Sequence, residues 1–348
     1  MKFHQNFILS ILLLVLLFAI FELKNVVLSP DSASWIINDA GSQCLYSNQL
    51  PINTSFSASD NWAGWIVIPL RLLLTFVTAM LITRTAMKNM IFDERSYLPT
   101  IIFPIVATGI FSATGSILTL TLSLLQIIIF NLLFDGFKRS NSIKEFFYAS
   151  ILTAISTLCY TPSAVTFITI LLAVAVLNRS FRELFCSIVG FLIPLFLYSY
   201  YHWIIGYSFS TIPTKLLASF TTTLSLPIDQ WLVLSNRFGL SVLIVSVLPL
   251  VTATVIAIVT YQHQLRYARR RQRKFFNLLV FQLLAITTLT FTVPSSGLQM
   301  LLLNSVPLTL ILSCYFNWNE YRFARLLLQL LPCGILLYNI TLIIVLKQ

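Results

Sequence analysis

Long apolar runs alternate with short polar segments along the whole chain. A helix that crosses the hydrocarbon core of a bilayer needs about 20 predominantly apolar residues. By this rule the pattern predicts about eleven transmembrane helices, which form one all-α, polytopic helical bundle and a single membrane domain over residues 1–348. The predicted spans are 7–28, 62–83, 97–112, 114–134, 146–161, 163–178, 184–205, 238–260, 275–292, 298–316 and 324–346.

Three of the predicted spans, 97–112, 146–161 and 163–178, are short for a complete crossing. A short apolar segment can also form part of a re-entrant hairpin, which leaves the bilayer on the side from which it entered. Both arrangements fit the sequence at these three positions.

The first apolar run follows Lys2 and His4, as the apolar core of a signal peptide follows its basic start. A signal peptide ends in a cleavage site of small residues, whereas this run continues through Glu22 and Lys24 without one. The sequence therefore predicts an uncleaved first helix.

The composition points to the same class of protein. Hydrophobic residues make up 57% of the chain and charged residues 9%, and the mean hydropathy is +0.88. A soluble domain normally contains about a quarter charged residues, so this chain has too few to cover its surface in water. The chain is therefore expected to be surrounded by membrane lipids, which are its first expected binding partner.

The basic residues are concentrated in particular loops. The formal net charge is +11, but Lys and Arg lie in short segments between apolar runs and not on one polar face, so nucleic acid is not an expected partner. With the N-terminus in the cytoplasm and alternating spans, 17 of the 22 Lys and Arg residues fall inside and the C-terminus falls outside, as the positive-inside rule requires of a multi-pass protein of the bacterial inner membrane. The inside set is Lys2, Arg84, Lys88, Arg95, Lys138, Arg139, Lys144, Arg179, Arg182, Arg266, Arg269, Arg270, Arg271, Arg273, Lys274, Arg322 and Arg325.

Glu22 and Arg71 are the charges that this topology places deepest in the membrane. Both fall about 9 Å below the outer boundary, on the antiparallel first and second spans. A charge at that depth is costly unless it is paired or hydrated, so the two residues are candidates for an intramembrane ion pair that faces a polar cavity. The alternative is that Arg71 extends to the outer headgroups and that Glu22, beside Lys24, is interfacial.

The densest run of charge is the stretch 266–274. On the cytoplasmic side it is expected to contact anionic lipid, at about 1 kcal/mol per charge near the surface. A phosphate-bearing ligand or an acidic partner is the alternative. The residues concerned are Arg266, Arg269, Arg270, Arg271, Arg273 and Lys274.

The outer loops, about 29–61 and 206–237, hold the candidates for catalysis outside the membrane. Asp31 and Asp39 are weak candidates for a general base, because they form no paired-carboxylate or DxD motif. The three histidines and five cysteines are scattered without metal-ligand spacing, so neither a metal nor another cofactor is expected. The chain also lacks the nucleophile, phosphate-binding and zinc-protease motifs of familiar soluble enzymes.

Three stretches occur in an order that resembles a family of proteins: Lys88–Pro99, Cys159–Ala164 and Asn178–Pro194. The order resembles an uncharacterised family of multi-spanning inner-membrane proteins of Bacteroidota that is defined by a domain of unknown function. The resemblance covers roughly residues 60–200. It implies a helical membrane fold and supplies no activity.

A weaker similarity is to the polytopic glycosyltransferases that use lipid-linked sugars. They too have an outer loop after the first helix, short helical hairpins, and charges inside with aromatic residues outside. Such enzymes place an essential acid in that first outer loop, so the similarity implies this role for Asp31 or Asp39.

Three functions agree with these patterns. The first is an accessory, non-catalytic component of envelope biogenesis that works with another membrane protein. The second is a transferase that acts on a lipid-linked sugar at the outer face. The third is a transporter or lipid flippase, in which Glu22 and Arg71 would line the path.

Overall fold

The structure is a computed structural model of the chain. It describes residues 8, 11–19, 61–89, 96–110, 117–138, 142–176, 179–214, 216, 254–255, 258–259, 270–292, 303–318, 328, 330 and 332. Every regular element within these residues is a helix, which confirms the all-α class.

The helices follow the predicted apolar runs closely. Three of them contain stretches that are long and apolar enough to cross a membrane, Pro69–Lys88, Leu120–Lys138 and Phe181–Ile204, so the structure agrees with a helical membrane bundle. The elements are α1 (Asn61–Lys88), α2 (Leu98–Pro104), a π-helix (Ile105–Ile110), α3 (Ile117–Lys138), α4 (Ile143–Cys159), a 3-10 helix (Thr161–Ala164), α5 (Val165–Val176), α6 (Phe181–Ile204), α7 (Arg270–Thr292) and α8 (Ser305–Trp318).

One large cluster of buried apolar side chains joins the described helices. These side chains lie in a close-packed interior, where each makes many favourable dispersion contacts. Each of the seven helices α1 to α5, α7 and α8 contributes fully buried members, among them Ile82, Phe103, Phe134, Phe146, Ile170, Leu279 and Leu310.

Two of the short predicted spans, 146–161 and 163–178, form one tight hairpin. Helix α4 ends at Cys159, Tyr160 is extended, and the 3-10 helix leads directly into α5. Pro162 contributes to the break, because a proline has no N–H to continue the hydrogen bonds of α4, and in the first turn of the new 3-10 helix no such donor is needed. The tip, Tyr160 to Ser163, is buried. The non-helical backbone at this tip therefore lies inside protein, an environment in which irregular backbone is also tolerated within a membrane.

Helix α6 packs against α4 along one face. Gly190 lies at the point of closest approach, where a Cβ atom would be 2.8 Å from the backbone oxygen of Phe147 and 3.3 Å from Cβ of Ser150. Small residues permit such close contact between membrane helices. The opposite face of α6 is exposed and apolar, with Phe185 58% and Trp203 57% exposed, as expected of a surface in contact with lipid tails.

Candidate functional site

The described ranges contain only part of the predicted site residues. Five of the predicted site residues lie outside the described residues: the proposed partner of Arg71, both outer-loop acids and the first two arginines of the basic run. These residues are Glu22, Asp31, Asp39, Arg266 and Arg269. The ion-pair and outer-face hypotheses therefore stay predictions.

Arg71 is half-buried near the start of the candidate span Pro69–Lys88. Its backbone oxygen accepts a hydrogen bond of 2.8 Å from Oγ1 of Thr75, one turn later on α1. Arg71 and Lys88 lie at opposite ends of this candidate span, and the depth of Arg71 in a membrane stays a prediction.

The basic run enters the structure as the start of α7. Arg270 and Arg271 are its first two residues, and the half-buried Arg273 and Lys274 follow within the next turn. The ring of the next residue, Phe275, is in contact with the ring of Phe134 on α3. The basic start of α7 is therefore close to the end of α3.

Several helix ends lie close together here, among them the ends of α1 and α3 and the start of α7. We call this region the basic end of the bundle. Nζ of Lys88, at the end of α1, lies 2.7 Å from Oδ2 of Asp135 on α3 in an exposed ion pair. Nζ of Lys138, the last residue of α3, donates a hydrogen bond of 3.2 Å to the backbone oxygen of Lys88. Lys88 and Lys138, at the ends of α1 and α3, thus lie near the start of α7, which carries Arg273 and Lys274. All four belong to the basic residues that are predicted to lie inside.

Glu183 is the most deeply buried acidic side chain at the basic end, with 3% of its surface exposed. Its Oε1 accepts hydrogen bonds from the backbone N–H of Ser142, at 3.1 Å, and from the hydroxyl of the same serine, at 2.7 Å. Glu183 lies in the first turn of α6 and Ser142 immediately precedes α4. Two helix N-termini therefore face this carboxylate, and both helix dipoles favour a negative charge there.

Arg179 makes the complementary contact with the end of a helix. Its Nη2 donates a hydrogen bond of 2.8 Å to the backbone oxygen of Gly136. The last carbonyls of α3 have no partner within the helix, so a cation at this position satisfies one of them. Arg179 and Glu183, four residues apart, thus connect the end of α3 and the start of α4 to α6.

The middle of the bundle contains buried amide side chains with few hydrogen bonds. Gln126 on α3 is 2% exposed, and neither its Nε2 nor its Oε1 has a hydrogen-bond partner among the described residues. Gln282 on α7 is 1% exposed; Oγ1 of Thr169 on α5 donates to its Oε1, and its Nε2 has no partner in the described part of the chain. Buried polar groups usually have hydrogen-bond partners, so these two amides are exceptions.

Most buried hydroxyl groups do not share this feature, because they donate to a carbonyl of their own helix. Thr78 bonds to Leu74, and Thr309 to Ser305, each one turn back. A serine or threonine in a helix can usually reach such a carbonyl, whereas the longer glutamine side chain extends away from its own backbone. The two glutamines therefore depend on partners from outside their helices.

Metal-ligating side chains do not cluster within the described ranges: no three His, Cys, Asp or Glu residues lie close enough together to hold a metal ion. The expectation that the chain carries no cofactor stays a prediction.

Comparison with known proteins gives no relative: no family model, curated protein or solved structure matches this chain. The resemblance of residues 60–200 to an inner-membrane family therefore stays a prediction, as does the weaker similarity to glycosyltransferases.

Sequence reasoning missed both groups of buried polar residues. One local signal was present, since Ser180 and Glu183 have the spacing of a capping box, in which the glutamate would bond back to the serine N–H. In the structure Glu183 bonds to Ser142 instead, 41 residues away in sequence. No pattern within a single helix indicates such a partner.

Proposed function

We propose that this chain is a multi-pass protein of the bacterial inner membrane that acts as an accessory, non-catalytic component of envelope biogenesis. The observation that supports it best is the continuous buried cluster to which seven helices contribute. A packed interior of this kind suits a rigid membrane scaffold, whereas a transferase requires a cavity open to lipid that gathers acidic side chains.

The contacts at the basic end add to this proposal. Hydrogen bonds from Arg179 and to Glu183 fix the relative positions of three helix ends. Such fixed helix ends suit a scaffold, which gains from holding its helices in one arrangement. The basic end is cytoplasmic in the proposed topology, with about eleven spans and the C-terminus outside.

The topology can be tested by labelling single cysteines at the two ends of the segment from α4 to α6. Both Lys144 and Ser208 are exposed, and an odd number of crossings separates them whether or not the α4–α5 hairpin is re-entrant. In a background without the five native cysteines, we expect Ser208→Cys to react with a membrane-impermeant maleimide in spheroplasts. Lys144→Cys should react only after permeabilisation. Labelling of both from the same side would contradict the topology.

The accessory role predicts a stable membrane-protein partner. We expect the full-length protein to co-purify with one partner in constant ratio after solubilisation in mild detergent, and the same partner to be recovered by crosslinking in intact cells. An unrelated polytopic protein of equal abundance serves as control. If the chain purifies alone under both conditions, the accessory role is wrong.

A second candidate, a transporter or lipid flippase, is favoured by one observation. Both polar atoms of the Gln126 amide and the Nε2 of Gln282 have no hydrogen-bond partner among the described residues, and transporters bind their substrates through polar groups between apolar helices near the midplane. The third candidate, a glycosyltransferase, depends on Asp31 and Asp39, which lie outside the described residues.

A further inference from the structure

Gln126 and Gln282 lie at the same level on two antiparallel helices. Two observations indicate the register of α3 against α7: the ring of Phe134 meets that of Phe275, and Leu122 belongs to the same buried cluster as Ile286. Gln126 comes four residues after Leu122, and Gln282 comes four residues before Ile286. Since a helical turn takes about 3.6 residues, each glutamine lies one turn from the shared cluster, on the same side of it and on the same helix face.

Helix α5 contributes to this level in the same way. Val165 belongs to the cluster of Leu122 and Ile286, and Thr169 follows it by one turn. The hydrogen bond from Oγ1 of Thr169 to Oε1 of Gln282 shows that the α5 and α7 side chains do meet there. Three helices thus supply one polar layer, defined by Gln126, Thr169 and Gln282.

Apolar side chains close the polar layer on both sides. Towards the hairpin tip lies the cluster of Leu122, Tyr160, Val165, Ile286 and Leu303. One turn from the layer in the other direction, the helices contribute Phe130, Ala173 and Leu278 to the large core. The layer therefore lies between two mainly apolar levels, of which the one towards the tip also holds the hydrogen bond from Nδ2 of Asn304 to Oγ1 of Thr287.

The charge around the layer selects the ligand. Helices α5 and α8 contain no charged residue. The nearest charged positions in sequence on the other two helices are Asp135 on α3 and Lys274 on α7, about 12 Å or more away along the helix axis. An ionic ligand would therefore find no counter-charge on these four helices at this depth, whereas an uncharged one requires none.

The amide groups without hydrogen-bond partners restrict the class of ligand further. Gln126 offers both donors of its Nε2 and the acceptor Oε1, and Gln282 offers the donors of its Nε2. A hydroxyl group both accepts and donates, so one hydroxyl oxygen can accept from the amides and give its proton to Oε1 of Gln126. A carbonyl or ether oxygen could not satisfy that acceptor.

We propose that Gln126, Gln282 and Thr169 form an internal site for an uncharged hydroxyl group, supplied either by a small polyol or by bound water. The site goes beyond the accessory role, since a packed scaffold does not need unsatisfied amides in its interior. Its existence does not depend on whether a protein partner is found.

Thermal unfolding of the full-length protein in nanodiscs distinguishes the two sources. With glycerol as the probe we expect a saturable rise in Tm of about 2 °C at ten times the dissociation constant. Trimethylamine N-oxide has no hydroxyl group and should give only the non-saturating rise of an excluded solute. The variant Gln126→Leu/Gln282→Leu should lose the saturable part. Asn277→Leu, which removes an exposed amide from the same helix, should keep it.

Bound water is the source if glycerol gives no saturable rise and a high-resolution structure in nanodiscs shows density between the two amides that the double leucine variant lacks. The proposal is overturned if the wild-type protein shows neither a saturable rise nor such density. It is equally overturned if the double leucine variant keeps the full glycerol response.

Discussion

Replacement of Glu183 by alanine is expected to lower the free energy of unfolding by about 3 kcal/mol. The carboxylate is buried and accepts two hydrogen bonds from Ser142. Its removal leaves the N–H and the hydroxyl of that serine buried without their acceptor, which costs more than the loss of an exposed contact. Thermal unfolding in mild detergent measures the effect.

Two controls make this prediction specific. Glu183→Gln keeps an oxygen acceptor and should cost less than Glu183→Ala. Asp135→Asn breaks the exposed pair with Lys88, and exposed pairs contribute about 0–1 kcal/mol. If Glu183→Ala is no more harmful than Asp135→Asn, the hydrogen bonds to Ser142 do not stabilise the basic end.

Addition of a single methyl group at Gly190 should destabilise the packing of α4 against α6 by about 1–3 kcal/mol. A Cβ atom there would lie 2.8 Å from the backbone oxygen of Phe147. A backbone atom cannot rotate away as a side-chain tip can, so the two helices must separate. We expect Gly190→Ala to lower Tm and the yield of folded protein, and Gly190→Leu to prevent folding.

Gly136→Ala is the matched control. It also places a Cβ atom inside a helix of the bundle, but its nearest neighbour, Cβ of Ser142, is 3.5 Å away, an ordinary contact. Alanine is favoured over glycine in a helix by about 0.5–1 kcal/mol, so this variant should be neutral or more stable. Equal losses at both glycines would show that close approach of α4 and α6 is not the cause.

The positions of the described helices could be predicted from hydropathy because the bilayer imposes one requirement on every span. The predicted span 184–205 corresponds to Phe181–Ile204, and 275–292 ends where α7 ends. The prediction was less good at the ends of helices that continue beyond their apolar run. Helix α1 extends to Lys88, five residues beyond the predicted end of 62–83, since backbone hydrogen bonds persist after the apolar run stops.

The candidate sites could not be predicted in the same way, because their members are far apart in sequence. Gln126 and Gln282 are separated by 156 positions, and each looks like a single polar residue in an apolar helix. Only the register of α3 against α7 places them at one level. The sequence did select Arg71 and the basic start of α7, since a charge near an apolar run is visible without knowledge of its neighbours.

The buried tip of the α4–α5 hairpin has a consequence for biosynthesis. Tyr160 and Val165 are covered in part by Ile286 and Leu303, which the ribosome adds more than a hundred residues later. In the proposed topology the tip enters the membrane before this cover exists, so the backbone of Tyr160 and Thr161 then needs shielding by other groups or by water. A nascent chain that stops before α7 would lack this part of the cover.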